Sequence, residues 1–302
     1  MSLLLIIILL IVVFLITVSA LVFVIGPIMV LNPRRRTEEF YKMRGLPTSP
    51  SHLRLPYEYF HFLASDGYSL LAAWFIPAKK PKATVIYLHG VGDNKMSGLL
   101  LAKVLHDNNF NVLLYDSRAH GESGGGYCTY GYHEKHDVQI AMYEVQKKFP
   151  GGKIGIFGTS MGAAIALQAA SIEPRIAAVA AEASFATLRQ ITVDYQKRLM
   201  RLPWHFLRNI AMKRSEAIAH FKHREVSPID AVKSIHVPVL FIHGKNDTFI
   251  KHKYSEEMYD AANDPKELWL LEDASHTDVH EVGKHAYEQT IVSFFTRHLI
   301  DR

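Results

Sequence analysis

A single cysteine, Cys128, occurs among 302 residues. The chain can therefore form no internal disulfide and offers no cysteine cluster for a metal, and its lone thiol is expected to pack as a small apolar side chain. Phosphate-cradling loops are missing where one would look for them. The glycine-bearing stretch HGVGDN, residues 89 to 94, fits neither G-x-x-x-x-G-K-[ST] nor G-x-G-x-x-G, which argues against nucleotide binding. HEKHD, residues 133 to 137, lacks the H-E-x-x-H spacing. His276, His280 and His285 also form no convincing ligand set, so neither metal nor cofactor is expected. Internal repeats and low-complexity linkers are absent too.

Charge is missing from one long run. Leu3 to Leu31 contains no ionisable residue and exceeds the roughly 20 residues that cross a bilayer. A cleaved signal peptide would need a basic leading region and a shorter apolar stretch, so the run is expected to be a permanent single span. Arg34, Arg35 and Arg36 follow it, and the positive-inside tendency favours a cytoplasmic location for the rest of the chain, the opposite orientation staying open because short N-terminal anchors insert either way. Residues 1–36 thus form an anchor with a basic flank. Residues 37–302 are enough for one large domain with a buried core. At 49% hydrophobic and 21% charged residues, that domain is folded rather than disordered.

Beyond the anchor, β-rich runs alternate with helical ones, the pattern of a mostly parallel sheet with crossover helices. YEYFHFLAS and YSLLAAWFI flank Asp66-Gly67 and read as a hairpin. ATVIYLHG, NVLLYD, KIGIFG, IAAVAAEA, VPVLFIHG and ELWLLE read as buried strands. GLLLAKVLHD, HDVQIAMYEVQKK, SEEMYDAA and HAYEQTIVSFFTRHL have helical periodicity.

Two segments fit G-x-S-x-G, the pattern of a nucleophilic serine on a sharp strand-to-helix turn: GESGG around Ser123 and GTSMG around Ser160. Only Ser160 has a strand before it, KIGIF, and a helix-forming run behind it, AAIALQAA. Ser123 runs into three glycines and reads as loop. A serine also needs a base and a group to orient that base. After Ser160 the acid is Asp247 in FIHGKNDTFI and the base is His276 in DASHTDVH, each just past a strand. Such strand ends are where open α/β sheets hold their sites. Asp273 and Asp278, beside His276, are weaker acids. The oxyanion donors are assigned to the backbone amides of Met161, next after the nucleophile, and Val91 in the loop after a preceding strand.

The segments YLHGVGDNK, LLYDSRAHGESGGGYCTYGYHEKHDV, GIFGTSMGAAIALQAA, SPIDAVKSIHVPVLFIHGKNDTFI and DASHTDVH resemble the α/β-hydrolase superfamily. They are closest to its membrane-anchored α/β-hydrolase-domain sequences and to the serine aminopeptidase and monoacylglycerol lipase-type group. The resemblance implies an α/β-hydrolase fold with a helical cap, a Ser160, Asp247, His276 triad, and a structural role for the loop bearing Asp116, Arg118, Gly121 and Ser123. It names no substrate.

Residues 187–230 fill the position of the cap. They hold nine Lys or Arg against four Asp or Glu, an excess equal to the +5 of the whole chain. Bulky apolar residues lie between, and Pro203 should divide the helical run. Trp204, Phe206 and Leu207 are expected to line a substrate pocket. The basic face is either solvated or set against anionic lipid. The expected function is cleavage of ester or thioester bonds in lipid or acylated, amphiphilic substrates, with no nucleic-acid partner. A peptidase of the aminopeptidase branch is the alternative, with Glu216 or Asp194 holding the substrate amine. A non-catalytic binding protein on the same scaffold is the other.

Overall fold

The computed structural model describes residues 2–200 and 205–301, the side chains of residues 199 and 200 apart. Among these, β1 (Glu58–Leu63), β2 (Leu70–Ile76), β3 (Ala83–Leu88), β4 (Phe110–Tyr115), β5 (Ile154–Thr159), β6 (Ile176–Glu182), β7 (Val239–Gly244) and β8 (Lys266–Leu271) form one sheet. Their order is β1-β2-β4-β3-β5-β6-β7-β8. β1 and β2 pair antiparallel around the expected Asp66-Gly67 turn, where Asp66 accepts the Tyr68 and Ser69 amides and Gly67 sits at φ 78°. β2 joins β4 antiparallel, and every pairing from β4 to β8 is parallel.

Buried parallel strands need cover on both faces because each face carries apolar side chains. α2 (Leu99–Asp107) and α8 (Val279–Leu299) cover one face, and α3 (Glu134–Lys148), α4 (Met161–Ala170) and α7 (Lys253–Ala261) the other. ELWLLE departs from the expected buried strand. β8 is the last strand of the sheet, with one neighbour, and most of its residues are half-buried.

The cap consists of α5 (Leu188–Met200) and α6 (His205–Ala219), inserted between β6 and β7. Pro203 falls between them, outside the described residues.

The N-terminal helix α1, Leu3–Leu31, is long and apolar enough to cross a membrane. Its two ends have different surroundings. Leu3 through Ile16 are exposed, whereas Val22, Pro27 and Leu31 are buried in the protein. Leu31 shares a core with Phe185, Leu188, Ile191 and Met212 of the cap region. A β-carbon on Gly26 would lie 3.0 Å from the Ala211 methyl, so the missing side chain is what allows α1 to cross α6 this closely. A wide π turn, Leu21–Ile25, precedes that crossing.

Candidate active site

Ser160 sits where β5 turns into α4, at φ 55° and ψ −115°, a conformation costly for any side-chain-bearing residue. The surroundings enforce it. A β-carbon on Gly158 would lie 2.3 Å from the Gly162 carbonyl, and one on Gly162 would lie 2.1 Å from that of Leu88. Only glycine lets helix, turn and β3 approach so closely. The Ser160 amide donates to the Glu182 carbonyl at 2.8 Å. The Glu182 carboxyl itself is buried beneath the turn, where it accepts from Tyr287 Oη at 2.6 Å. Burial raises its pKa, outweighing the hydrogen bonds from Tyr287 and Thr159.

His276 reaches Ser160 from the loop after β8. Its Nε2 lies 3.1 Å from Ser160 Oγ and its Nδ1 2.6 Å from Asp247 Oδ2. With Nδ1–H donating to the carboxylate, Nε2 is free to accept the serine proton. Asp247 Oδ1 accepts the Phe249 and Ile250 amides at 2.7 and 2.8 Å. Burial would push this carboxyl upward in pKa, but hydrogen bonds from His243 and His276 and the Ile250 amide overcome it and hold the group well below the usual carboxylate range.

His243 had no role in the sequence reading. It is buried, with Nε2 at 3.2 Å from Asp247 Oδ2 and 2.9 Å from the Ile250 carbonyl, and Nδ1 at 2.7 Å from Ser255 Oγ. Two acceptors at Nε2 require the proton there, so Nδ1 accepts from Ser255. The available signal was a histidine ending a buried strand four residues before the acid, a spacing that brings both onto one tight turn.

Val91, Met161 and Ser160 all border one cavity. Met161 opens α4, so its amide has no intrahelical acceptor. The loop carrying Val91 is braced from two directions. Lys95, fully buried, donates to Asp116 at 2.7 Å and Glu122 at 2.5 Å. From the other side, Arg36 pairs with Asp93, its amide donates to the Gly92 carbonyl at 2.7 Å, and Tyr41 Oη also donates to Asp93. The Asp116 loop is a structural knot. Arg118 forms a two-pronged pair with Asp137 at 2.6 and 2.7 Å, and Ser123 Oγ donates to the Asp116 carbonyl while accepting the Ala72 amide.

The cavity beside Ser160 has a volume of about 510 Å³ and a mostly apolar wall. Leu207 lines it. Phe206 does not, being 72% exposed. Consecutive residues on a helix point about 100° apart, so one of the pair faces outward. Trp204 lies outside the described residues. The proposed amine-binding acids are already engaged. Asp194 holds Lys251 at 2.9 Å and Tyr254 at 2.6 Å, and Glu216 holds His223 at 2.6 Å. Arg198 of α5 stacks over Phe249 at 3.8 Å and donates to the Thr248 carbonyl, tying the cap to the Asp247 loop.

Comparison with known proteins agrees with this architecture. A family model described as serine aminopeptidase, S33, matches residues 79–228. YqkD, an uncharacterized protein of Bacillus subtilis, is 33% identical over 231 residues, covering 76% of this chain and 75% of YqkD. YfhR, an uncharacterized protein of Escherichia coli, is 30% identical over 243 residues, covering 77% and 78%. A solved Pyrococcus furiosus esterase superimposes with a TM-score of 0.73 at 26% identity, covering 89% of this chain and 99% of the esterase. The chain is therefore a hydrolase of the α/β-hydrolase superfamily and belongs to its serine aminopeptidase and monoacylglycerol lipase-type group.

Proposed function

We propose that the protein is a membrane-anchored serine hydrolase that cleaves carboxylic ester or thioester bonds of lipid or acylated substrates through an acyl-enzyme on Ser160. The observation that carries this reading is the Ser160, His276, Asp247 hydrogen-bond relay at the wall of an apolar cavity. His276 Nε2 takes the hydroxyl proton as Ser160 Oγ attacks the carbonyl carbon. The Val91 and Met161 amides then hold the oxyanion. Collapse of the tetrahedral species expels the alcohol or thiol, protonated by His276. Water, activated by the same imidazole, hydrolyses the acyl-enzyme and restores Ser160. Asp247 keeps the imidazole in the required tautomer and stabilises its charged form. No cofactor enters any step.

Four further observations support the substrate class and the anchor. The cavity wall offers apolar surface for an acyl chain, and the acids that a peptidase would use for a substrate amine are committed to neighbouring side chains. The last turns of α1 pack into the cap core, a placement that suits a retained span better than a cleaved signal. Arg34 to Arg36 at its end favour a cytoplasmic catalytic domain.

The test is labelling of the detergent-solubilised full chain with a fluorophosphonate probe, followed by turnover of acyl esters, acyl thioesters and aminoacyl anilides. Labelling that requires Ser160 and His276, with esters or thioesters preferred, is the expected result. A folded protein that does not label would overturn the catalytic reading in favour of a binding scaffold. Preference for the anilides would turn it into a peptidase.

A further inference from the structure

We infer that α1 is a wall of the substrate site as well as an anchor, and that the site draws the fatty chain of a long-chain acyl ester directly from the bilayer. The inference rests on the readings of Ser160 as nucleophile and of α1 as a span.

The residues of α1 that border the cavity are Val18, Leu21, Val22, Gly26, Met29 and Val30. They recur at helical spacing and form one stripe. Between Leu21 and Gly26 the backbone makes a π turn, closed by the Gly26 amide on the Leu21 carbonyl, which keeps both positions on the cavity side where a regular helix would begin to rotate them apart. Phe23, Val24, Ile25 and Ile28, off this stripe, are exposed. On the stripe, Val22 is buried and Gly26 and Val30 are half-buried, while Leu21 and Met29 border the cavity and are exposed as well.

Lengths place the cavity against the lipid. A hydrocarbon core of about 30 Å takes about 20 helical residues. A band of about that length placed anywhere within Leu3–Leu31 takes in residues 18 to 22. Val18, Leu21 and Val22 then sit at the depth of acyl chains, while Pro33 and Arg34, also bordering the cavity, sit at the headgroups beside Arg35 and Arg36. The stripe from Val18 to Val30 is roughly 18 Å long at 1.5 Å per residue, the scale of a fatty chain. A carbonyl at Ser160 and its chain along α1 would occupy one continuous apolar slot, with no need for the chain to cross water.

The test compares kcat/KM for a palmitoyl and a butyryl p-nitrophenyl ester, using the full chain in lipid nanodiscs. Val22→Trp and Met29→Trp fill the slot from α1. Met29 is 65% exposed, so its replacement guards against a result due only to misfolding. Phe14→Trp, on an exposed part of the same helix, is the control. The expected result is a palmitoyl-to-butyryl ratio at least tenfold lower in both filling variants and unchanged in Phe14→Trp. A wild-type ratio in both filling variants, with Ser160 still labelled by fluorophosphonate, overturns the inference and leaves the hydrolase reading intact. A wild-type protein that neither labels nor turns over either ester removes the reading and the inference together. The depth is checked without activity: Val18→Trp should add fluorescence that lipids brominated on the acyl chain quench. Added fluorescence that resists those lipids would overturn the bilayer route.

Discussion

Ser123 and Ser160 share a five-residue pattern and opposite circumstances. Ser123 Oγ is fully engaged, donating to one backbone carbonyl and accepting one backbone amide. Ser160 Oγ faces an imidazole and an open apolar cavity, on a backbone twisted into a costly conformation. The pattern specifies a glycine-flanked serine in a tight turn. Its flanks decide whether the hydroxyl knots the chain together or projects from it. A strand and a helix on either side aim the side chain outward, and a loop folds it back onto its own backbone.

The sharpest way to break this contrast is to delete each hydroxyl. Ser160→Ala should lower ester turnover by about 10⁴-fold or more and abolish fluorophosphonate labelling, whereas Ser123→Ala should stay within a few-fold of wild type in turnover of the folded enzyme. Loss of labelling in Ser123→Ala with retention in Ser160→Ala would reverse the assignment. Next in size, Asp247→Asn should cost about 10³ to 10⁴-fold in kcat by disturbing the His276 tautomer, read from steady-state kinetics. His243→Ala removes one of several donors to Asp247, and roughly a tenfold loss of kcat is expected by comparison with other outer-shell partners.

In stability the ranking inverts. Ser123→Ala leaves a buried carbonyl and a buried amide without their partner, for a loss of about 1 to 3 kcal/mol in urea unfolding. The pH profile extends the contrast to the carboxyls around the elbow. Asp247 titrates below its ordinary value of 3.8, so its contribution is present above that value and is lost only as pH falls through the lower folded pKa. Glu182 titrates above its ordinary value of 4.5, so stability is greatest below that value and declines as pH rises through the raised one. Glu182→Gln should flatten that decline, measured by urea unfolding between acid and neutral pH. A profile unchanged by the substitution would mean that Glu182 does not carry it.

Much of this was legible because the signals were local. The parallel strands announced themselves as short apolar runs ending in glycine or an acid, and Ser160 by the strand and helix on its two sides. What escaped was nonlocal or a matter of phase. His243 reads as one more apolar-strand histidine until Asp247 and Ser255 are seen around it. Trp204, Phe206 and Leu207 were grouped by composition, but a helix presents neighbours in different directions, and Phe206 turned outward. The fit of α1 against α6 brings Gly26 to Ala211, across most of the chain. From sequence, Gly26 reads only as a weak point in an apolar helix. Its lack of a side chain has meaning only once α6 is placed against it.

The twisted backbone at Ser160 carries one more implication, for how such a protein would age in evolution. A glycine there would relieve a conformational penalty of order 1 to 3 kcal/mol, so the substitution that ends the chemistry should also raise the melting temperature. On this account the serine is there for its chemistry and not for the fold. A descendant freed from that demand would tolerate a glycine at this position and keep the same fold without its chemistry.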